Sequence, residues 1–340
     1  MKRACTALLV FLLLARPGAG ADLAAFPAYV PGAAVTGTIT SWGHVFMKPV
    51  MRRWEEGFRR YHPGVRFSDN LVSSAAATGA LFTRTADLGL VGREIRPMEV
   101  AGYARVMGCK PFGVQVMTGA YANADKSVAL GVFVHRSNPL SRLTFAQLDA
   151  IFGAEHLRGQ PGNIRAWGQL GLRGEWRDRP IQIYQGLLDA APAFYFSKEV
   201  MKGSLLWNER TRLFDDLDLP GGKTRTAGQQ IVDALAADRF GIALAGVGTV
   251  NAEVKLLGLA RTGSGPWVAP SLVTIGDRSY PLARSVWIYL NRAPGAALEP
   301  KVREFLRYIL SREGQQDVAD EGEYLPLTPA LAQEQRSRLD

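Results

Sequence analysis

Leu71–Arg96 reads LVSSAAATGALFTRTADLGLVGREIR. Two serines open a polar turn, the run from Ala75 to Phe82 favours a short helix, Leu88 to Val91 forms a brief apolar strand, and Arg93 stands at that strand's exit. In open α/β sheets ligands gather beyond the carboxyl ends of strands, where loops and helix N-termini present backbone N–H groups. Ser73, Ser74 and Arg93 are therefore the first candidates for ligand contact. The two serines also suit the N-cap of the following helix, and both roles ask for the same geometry. Asp87 reads as structural, closing the turn before the strand.

Upstream, Thr36 to Thr40 (TGTIT) alternates like a strand and ends at Ser41-Trp42-Gly43. Phe46, Val50, Trp54 and Phe58 then recur at helical spacing as far as Tyr61, before Pro63-Gly64, which puts Trp54 in a core. Val65 to Phe67 is a second short strand. Strand, loop, helix, strand is the order a parallel sheet demands.

Downstream, a helix-like piece runs to Val106, and Pro111 to Ala122 and Ser127 to His135 are extended. Two extended segments in succession suggest a crossing between lobes, with the first hinge near Ala122 to Val128. Leu143 to Phe152 is a helix capped by Thr144 and stopped by Gly153. Ile181 to Tyr184 is a strand, Ala191 to Lys202 a helix with Pro192 in its first turn, Gln229 to Ala237 a helix, and Phe240 to Ala245 a buried strand. Gly246 to Gly248 is expected to start the return to the first lobe. Leu272 to Ile275 and Val286 to Leu290 read as strands, and Lys301 to Leu310 as an amphipathic helix. No repeat or low-complexity segment interrupts the chain.

The 340 residues suffice for two domains, and 47% hydrophobic with 21% charged residues is the composition of a soluble globular protein. Lys2 and Arg3, an apolar run from Ala4 to Ala15, and Ala19-Gly20-Ala21 read as a signal peptide, residues 1–21, cleaved after Ala21. Cys5 lies within it and is not placed to carry a lipid, so a periplasmic or secreted protein is expected. Cys109 then remains alone, without a disulfide, as a small buried hydrophobe. Of the net charge of +9, Lys2, Arg3 and Arg16 carry three. The remaining basic residues are scattered without interleaved aromatics, which argues against nucleic acid and suits attraction of a small anion.

Three stretches resemble the periplasmic phosphate-binding protein family of ABC importers. They are Ala86-Asp87-Leu88-Gly89 with Gly92-Arg93-Glu94-Ile95 and Glu99; Leu143 to Gly153 with Asn163-Ile164 and Trp167; and Tyr280-Pro281-Leu282-Ala283-Arg284 with Val302 to Leu310 and Ser311 to Gln315. The last is the most specific, and the likeness spans roughly Thr36 to Leu327. It implies an α/β, two-lobed type II periplasmic binding protein with mixed sheets flanked by helices and two hinge crossings. Lobe one would be 34–124 plus 250–332, and lobe two 125–249. The implied partners are phosphate or a related small oxyanion, held in the interlobe cleft, and an ABC permease in the inner membrane. The chain itself is expected to be a monomer.

By the same resemblance Thr40, Ser41 and Trp42 fall on the first ligand loop, Ser73 and Ser74 on the second, and Gly92-Arg93 on the third. The lobe-two loop departs from the family pattern. Tyr184 to Ala193 lacks the arginine and hydroxyls expected there, which leaves Tyr184, Gln185 and Asp189 as cleft candidates by position. Each missing charge-assisted bond costs about 1.5–3 kcal/mol.

Two alternatives follow: a sensory or scaffold protein of the same fold without tight phosphate binding, and a secreted hydrolase using Ser41, His44 and Asp87. His44, His62, His135 and His156 show no metal-ligand spacing, and there is no nucleophile elbow, Walker or dinucleotide fingerprint. Neither a cofactor, a metal nor an enzymatic activity is expected.

Overall fold

The computed structural model describes residues 22–123 and 126–340, so the expected signal peptide lies outside the described residues. The first sheet and its helices form from β1 (Gly37–Gly43), α1 (Lys48–Arg59), β2 (Val65–Leu71), α2 (Ser74–Phe82), β3 (Leu88–Val91), α3 (Pro97–Met107) and β4 (Phe112–Thr118). The second lobe contains β5 (Leu130–His135), β6 (Arg142–Thr144), α4 (Phe145–Phe152), β7 (Gln182–Gly186), α5 (Ala191–Val200), β8 (Thr211–Phe214), β9 (Leu217–Leu219), β10 (Lys223–Arg225), α6 (Ala227–Ala236), β11 (Gly241–Gly246), β12 (Val254–Leu256), β13 (Gly258–Ala260) and α7 (Leu272–Gly276), with β9-β10 and β6-β13 as separate two-stranded pairs. The chain returns through β14 (Ser285–Leu290), α8 (Pro300–Ile309), α9 (Arg312–Glu321) and α10 (Pro329–Ser337).

In lobe one the strand order is β2-β1-β3-β14-β4. β1 pairs in parallel with β2 and β3, whereas β14 is antiparallel to β3 and β4. The apolar face of α1, Val50, Met51, Trp54 and Phe58, follows the 3–4 residue spacing and is wholly buried. It packs with Phe305, Leu306 and Ile309 of α8 in one core. Trp54 donates its indole N–H to the Gly314 carbonyl at 2.9 Å, which satisfies its polar atom in that core. Tyr29 of the leader also enters: its hydroxyl donates to Glu304 at 2.9 Å and lies 2.7 Å from His62 Nε2.

Lobe two has the order β12-β5-β11-β7-β8, in which β11, β7 and β8 are parallel and β5 runs antiparallel to both of its neighbours, β11 and β12. Thr144 caps α4 as expected, its hydroxyl accepting from the Gln147 N–H at 3.1 Å. Ile183 and Tyr184, adjacent on β7, point to opposite faces and join different cores.

The two crossings run side by side. Gly119 N–H donates to the Arg284 carbonyl at 3.0 Å, and Leu130 N–H to the Leu282 carbonyl at 3.2 Å. The two-lobed α/β arrangement expected from the sequence is therefore present.

Three local expectations are corrected. Leu272–Gly276 is a helix rather than a strand, because Ser271 caps the Thr274 N–H at 3.1 Å and Leu272 and Val273 face solvent. The return to lobe one comes later than residue 250. β12 adds to the lobe-two sheet, β13 pairs with β6, and Ile275, Tyr280 and Leu282 pack in the lobe-two core, so the crossing lies at 283–285. Cys109 is only partly buried, with its thiol near the Arg292 carbonyl.

Candidate functional site

The parallel strands β1 and β3 end side by side, and their carboxyl ends open onto a cavity of about 350 Å³ between the lobes. His44 follows β1 and Gly92-Arg93 follow β3; the N-terminus of α2 brings Ser73, Ser74 and Ala75. The first crossing contributes Lys126 and Ser127, the return crossing Arg284, and α5 closes the lobe-two side with Ala191 and Pro192. Arg96, at the start of α3, completes a ring of four cations.

The loops are tied tightly. Ser73 caps α2 by accepting the Ala75 N–H at 3.2 Å, while Ser74 accepts the Gly92 N–H at 3.2 Å. Ser127 donates to the Gly92 carbonyl, which fixes the crossing against the β3 exit. A Cβ at Gly92 would lie 1.9 Å from Cδ2 of His44, so any other residue there has to displace the imidazole. α2 is nine residues long, so its N-terminus carries the partial positive charge of a helix end into a cavity already rich in cations.

Most of these cations are positioned by carboxylates outside the cavity. Arg93 makes a two-point contact with Glu99, at 2.8 and 2.5 Å, and Arg284 one with Glu94, at 3.2 and 2.6 Å. Lys126 pairs with Glu321 and, at 2.5 Å, with Glu323, with its ammonium 4.3 Å from the Tyr324 ring centre. Burial by itself would raise the Glu99 carboxyl, but the Arg93 bonds, the Arg96 N–H and the charges of both arginines outweigh it and hold it below its ordinary value. Arg96 differs: its Nε is buried without a hydrogen-bond partner, and its guanidinium lies over the Phe194 ring of α5 at 5.6 Å.

Of the residues expected from the sequence, Ser73, Ser74 and Arg93 line this cavity. Thr40, Ser41 and Trp42 do not, because β1 continues to Gly43 in unbroken parallel register with β2 and so carries these three inside the sheet. Thr40 donates its N–H to Asp87 at 2.8 Å, and fully buried Ser41 donates to Asp69. These bonds separate Ser41 from Asp87, which pairs instead with Lys301 at 3.5 Å, so the imagined Ser41, His44 and Asp87 triad is not assembled. Tyr184 faces α6 and donates to Asp238 at 2.9 Å; Asp189 is exposed.

Gln185 lines a second cavity, of about 460 Å³, at the carboxyl ends of β7, β8 and β11. Pro192 of α5 lines both cavities.

His44, Arg96, Lys126, Ser127 and Arg284 were missed. His44 sits two residues past the expected loop, Lys126 and Ser127 lie in the expected first hinge, and Arg284 ends the Tyr280 to Arg284 motif, far from the return expected at Gly246 to Gly248, so the hinge lysine and the motif arginine were the available signals. Among the described residues no group of three or more His, Cys, Asp and Glu is disposed to hold a metal ion, and no helix is long and apolar enough to cross a membrane.

Comparison with known proteins gives consistent results. A family model described as a PBP superfamily domain matches residues 30–313. Phosphate-binding protein PstS of Pseudomonas aeruginosa is 31% identical over 310 residues, which are 91% of this chain and 89% of that protein. Protein SphX of Synechococcus elongatus is 27% identical over 301 residues, 86% and 78% of the two chains. Among solved structures, PstS of Borrelia burgdorferi superposes with a TM-score of 0.56 at 14% identity, covering 86% of this chain and 99% of that one. An ABC-type phosphate transport receptor from Vibrio cholerae gives 0.54 at 16%, covering 85% and 100%.

Proposed function

The chain belongs to the periplasmic phosphate-binding protein family within the PBP superfamily, and from that membership we propose that it is an exported solute receptor. It captures phosphate or a related small oxyanion between its lobes and delivers it to an ABC permease. Its role is binding, not catalysis.

The observation that carries this reading is the convergence of the α2 N-terminus with Arg93, Arg96, Lys126 and Arg284 on one interlobe cavity. An oxyanion there gains N–H and hydroxyl donors from the Ser73-Ser74 turn and the field of the cations. Each charge-assisted hydrogen bond contributes about 1.5–3 kcal/mol, so a few suffice for tight capture. The two crossings, bonded to each other, are the elements about which lobe two closes on the ligand. Arg96 and Phe194 already meet across the gap.

Calorimetry of the mature protein with phosphate, sulfate and molybdate tests the reading. Saturable one-to-one binding of at least one oxyanion, weakened by Arg93→Ala, is expected. Absence of binding by all three would overturn it.

A further inference from the structure

The geometry points to a zwitterionic ligand class: a small phosphate monoester carrying a primary ammonium, with its oxyanion on lobe one and its ammonium end in the lobe-two cavity. This rests on the oxyanion reading of the first cavity and extends it.

Charge is divided between the two cavities, which share Pro192 in their walls. The first carries four cations, whereas the second has no Lys, Arg or His among its described lining residues and bears two carboxylates, Asp215 and Asp216. Elsewhere its wall is largely apolar, as at Leu130, Leu244 and Ile231.

An anion finds few donors in the second cavity. Pro192 removes one N–H from the first turn of α5. At the start of α6 the Ala227 N–H is taken by Asp216 at 2.7 Å and the Gln229 N–H by Thr226 at 3.2 Å. Each of these helix ends thus offers an oxyanion fewer free N–H groups than an uncapped end would.

Gln185 is the independent observation. It is 1% exposed, lines the second cavity, and neither Oε1 nor Nε2 has a hydrogen-bond partner. A buried primary amide without partners is costly. A ligand with a donor and an acceptor satisfies both atoms, the ammonium giving to Oε1 and a bridging oxygen accepting from Nε2. Asp215 and Asp216, at the rim, then face the ammonium. Inorganic phosphate fills only the lobe-one half and leaves Gln185 as it is.

The test is calorimetry of the mature protein with inorganic phosphate, ethyl phosphate and O-phosphoethanolamine, repeated on Asp215→Asn/Asp216→Asn. Asparagine keeps the oxygen that caps Ala227 while removing the charge. O-Phosphoethanolamine is expected to bind at least about tenfold more tightly than either other probe. The double variant is expected to lose that advantage and to bind inorganic phosphate as the parent does. Equal or weaker binding of O-phosphoethanolamine, with phosphate bound, overturns this inference and leaves the oxyanion reading intact. An advantage that survives in the double variant overturns the assignment to these carboxylates. If none of the probes binds, this inference falls, and the oxyanion reading falls with it when sulfate and molybdate also fail to bind.

Discussion

Arg96 of lobe one lies over the ring of Phe194 of lobe two, 5.6 Å from its centre, and bridges the cleft beside the candidate anion site. Arg93 is held by Glu99 and Arg284 by Glu94, whereas Arg96 keeps a buried Nε without a hydrogen-bond partner. A guanidinium with an unfilled donor is the cation best able to take a new acceptor. Arg96→Ala is expected to weaken phosphate binding by about tenfold to a hundredfold, the loss of one charge-assisted bond. Arg96→Lys is expected to recover only part, because an ammonium neither stacks on Phe194 nor offers a planar fork. Calorimetry on the two variants measures both.

Ser73 has a structural and a ligand role that one substitution separates. Ser73→Ala removes the cap on Ala75 and is expected to cost about 0.5–2 kcal/mol of stability as well as affinity. Ser73→Asp keeps a good cap but places a negative charge at the cavity. Its unfolding midpoint in urea is expected near that of the parent, with phosphate binding abolished. Retained binding in Ser73→Asp would place the anion elsewhere.

Gly92, at the β3 exit, packs against the His44 imidazole. Gly92→Ala is expected to destabilise the protein by about 1–3 kcal/mol, since the new methyl displaces the imidazole or the strand end. Binding should fall as well, because the Gly92 N–H is the donor that holds Ser74. Denaturant melts and calorimetry of the same preparation read the two losses.

Stability should depend on pH through Glu55. Burial, a hydrogen bond with Asp69 and the Asp69 charge raise its carboxyl from 4.5 to about 8, partly offset by Arg59 and Arg52. The folded chain therefore holds this proton more tightly than the unfolded chain. Below about pH 4.5 both states are protonated and the contribution is complete. As the pH rises from there through about 8 the unfolded chain releases the proton first, and stability falls. Glu55→Gln is expected to flatten that decline, as read from urea midpoints at about pH 5 and pH 8.

Much of lobe one was legible because its elements are local. Trp54, Phe58 and their partners repeat at helical spacing, Ser73 caps at once the helix that it announces, and the apolar run before Arg93 can only be a buried strand. The Leu272 to Ile275 run misled because a short apolar run has no readable period, and only its missing partner strand and the Ser271 cap make it a helix. Thr40, Ser41 and Trp42 misled for a related reason. Where a strand stops depends on how far its neighbour pairs with it, and β2 pairs with β1 up to Leu71. Gln185 was picked for its position, yet its setting, a buried amide without partners beside two carboxylates, is a matter of packing.

The sequence by itself determined the α/β alternation and a serine turn at a helix N-terminus, because periodicity and capping are properties of neighbouring residues, and its resemblance to a known family implied the two lobes. Only the tertiary structure decided which charges share a cavity. Lys126 and Arg284, on crossings that lie far apart in the chain, are brought together with Arg96 at the start of α3, and β7, β8 and β11 bring Gln185, Asp215 and Asp216 to one cavity. Electrostatics acts through space over a few ångströms, so the sign of each half of the cleft follows from the fold and not from the order of residues.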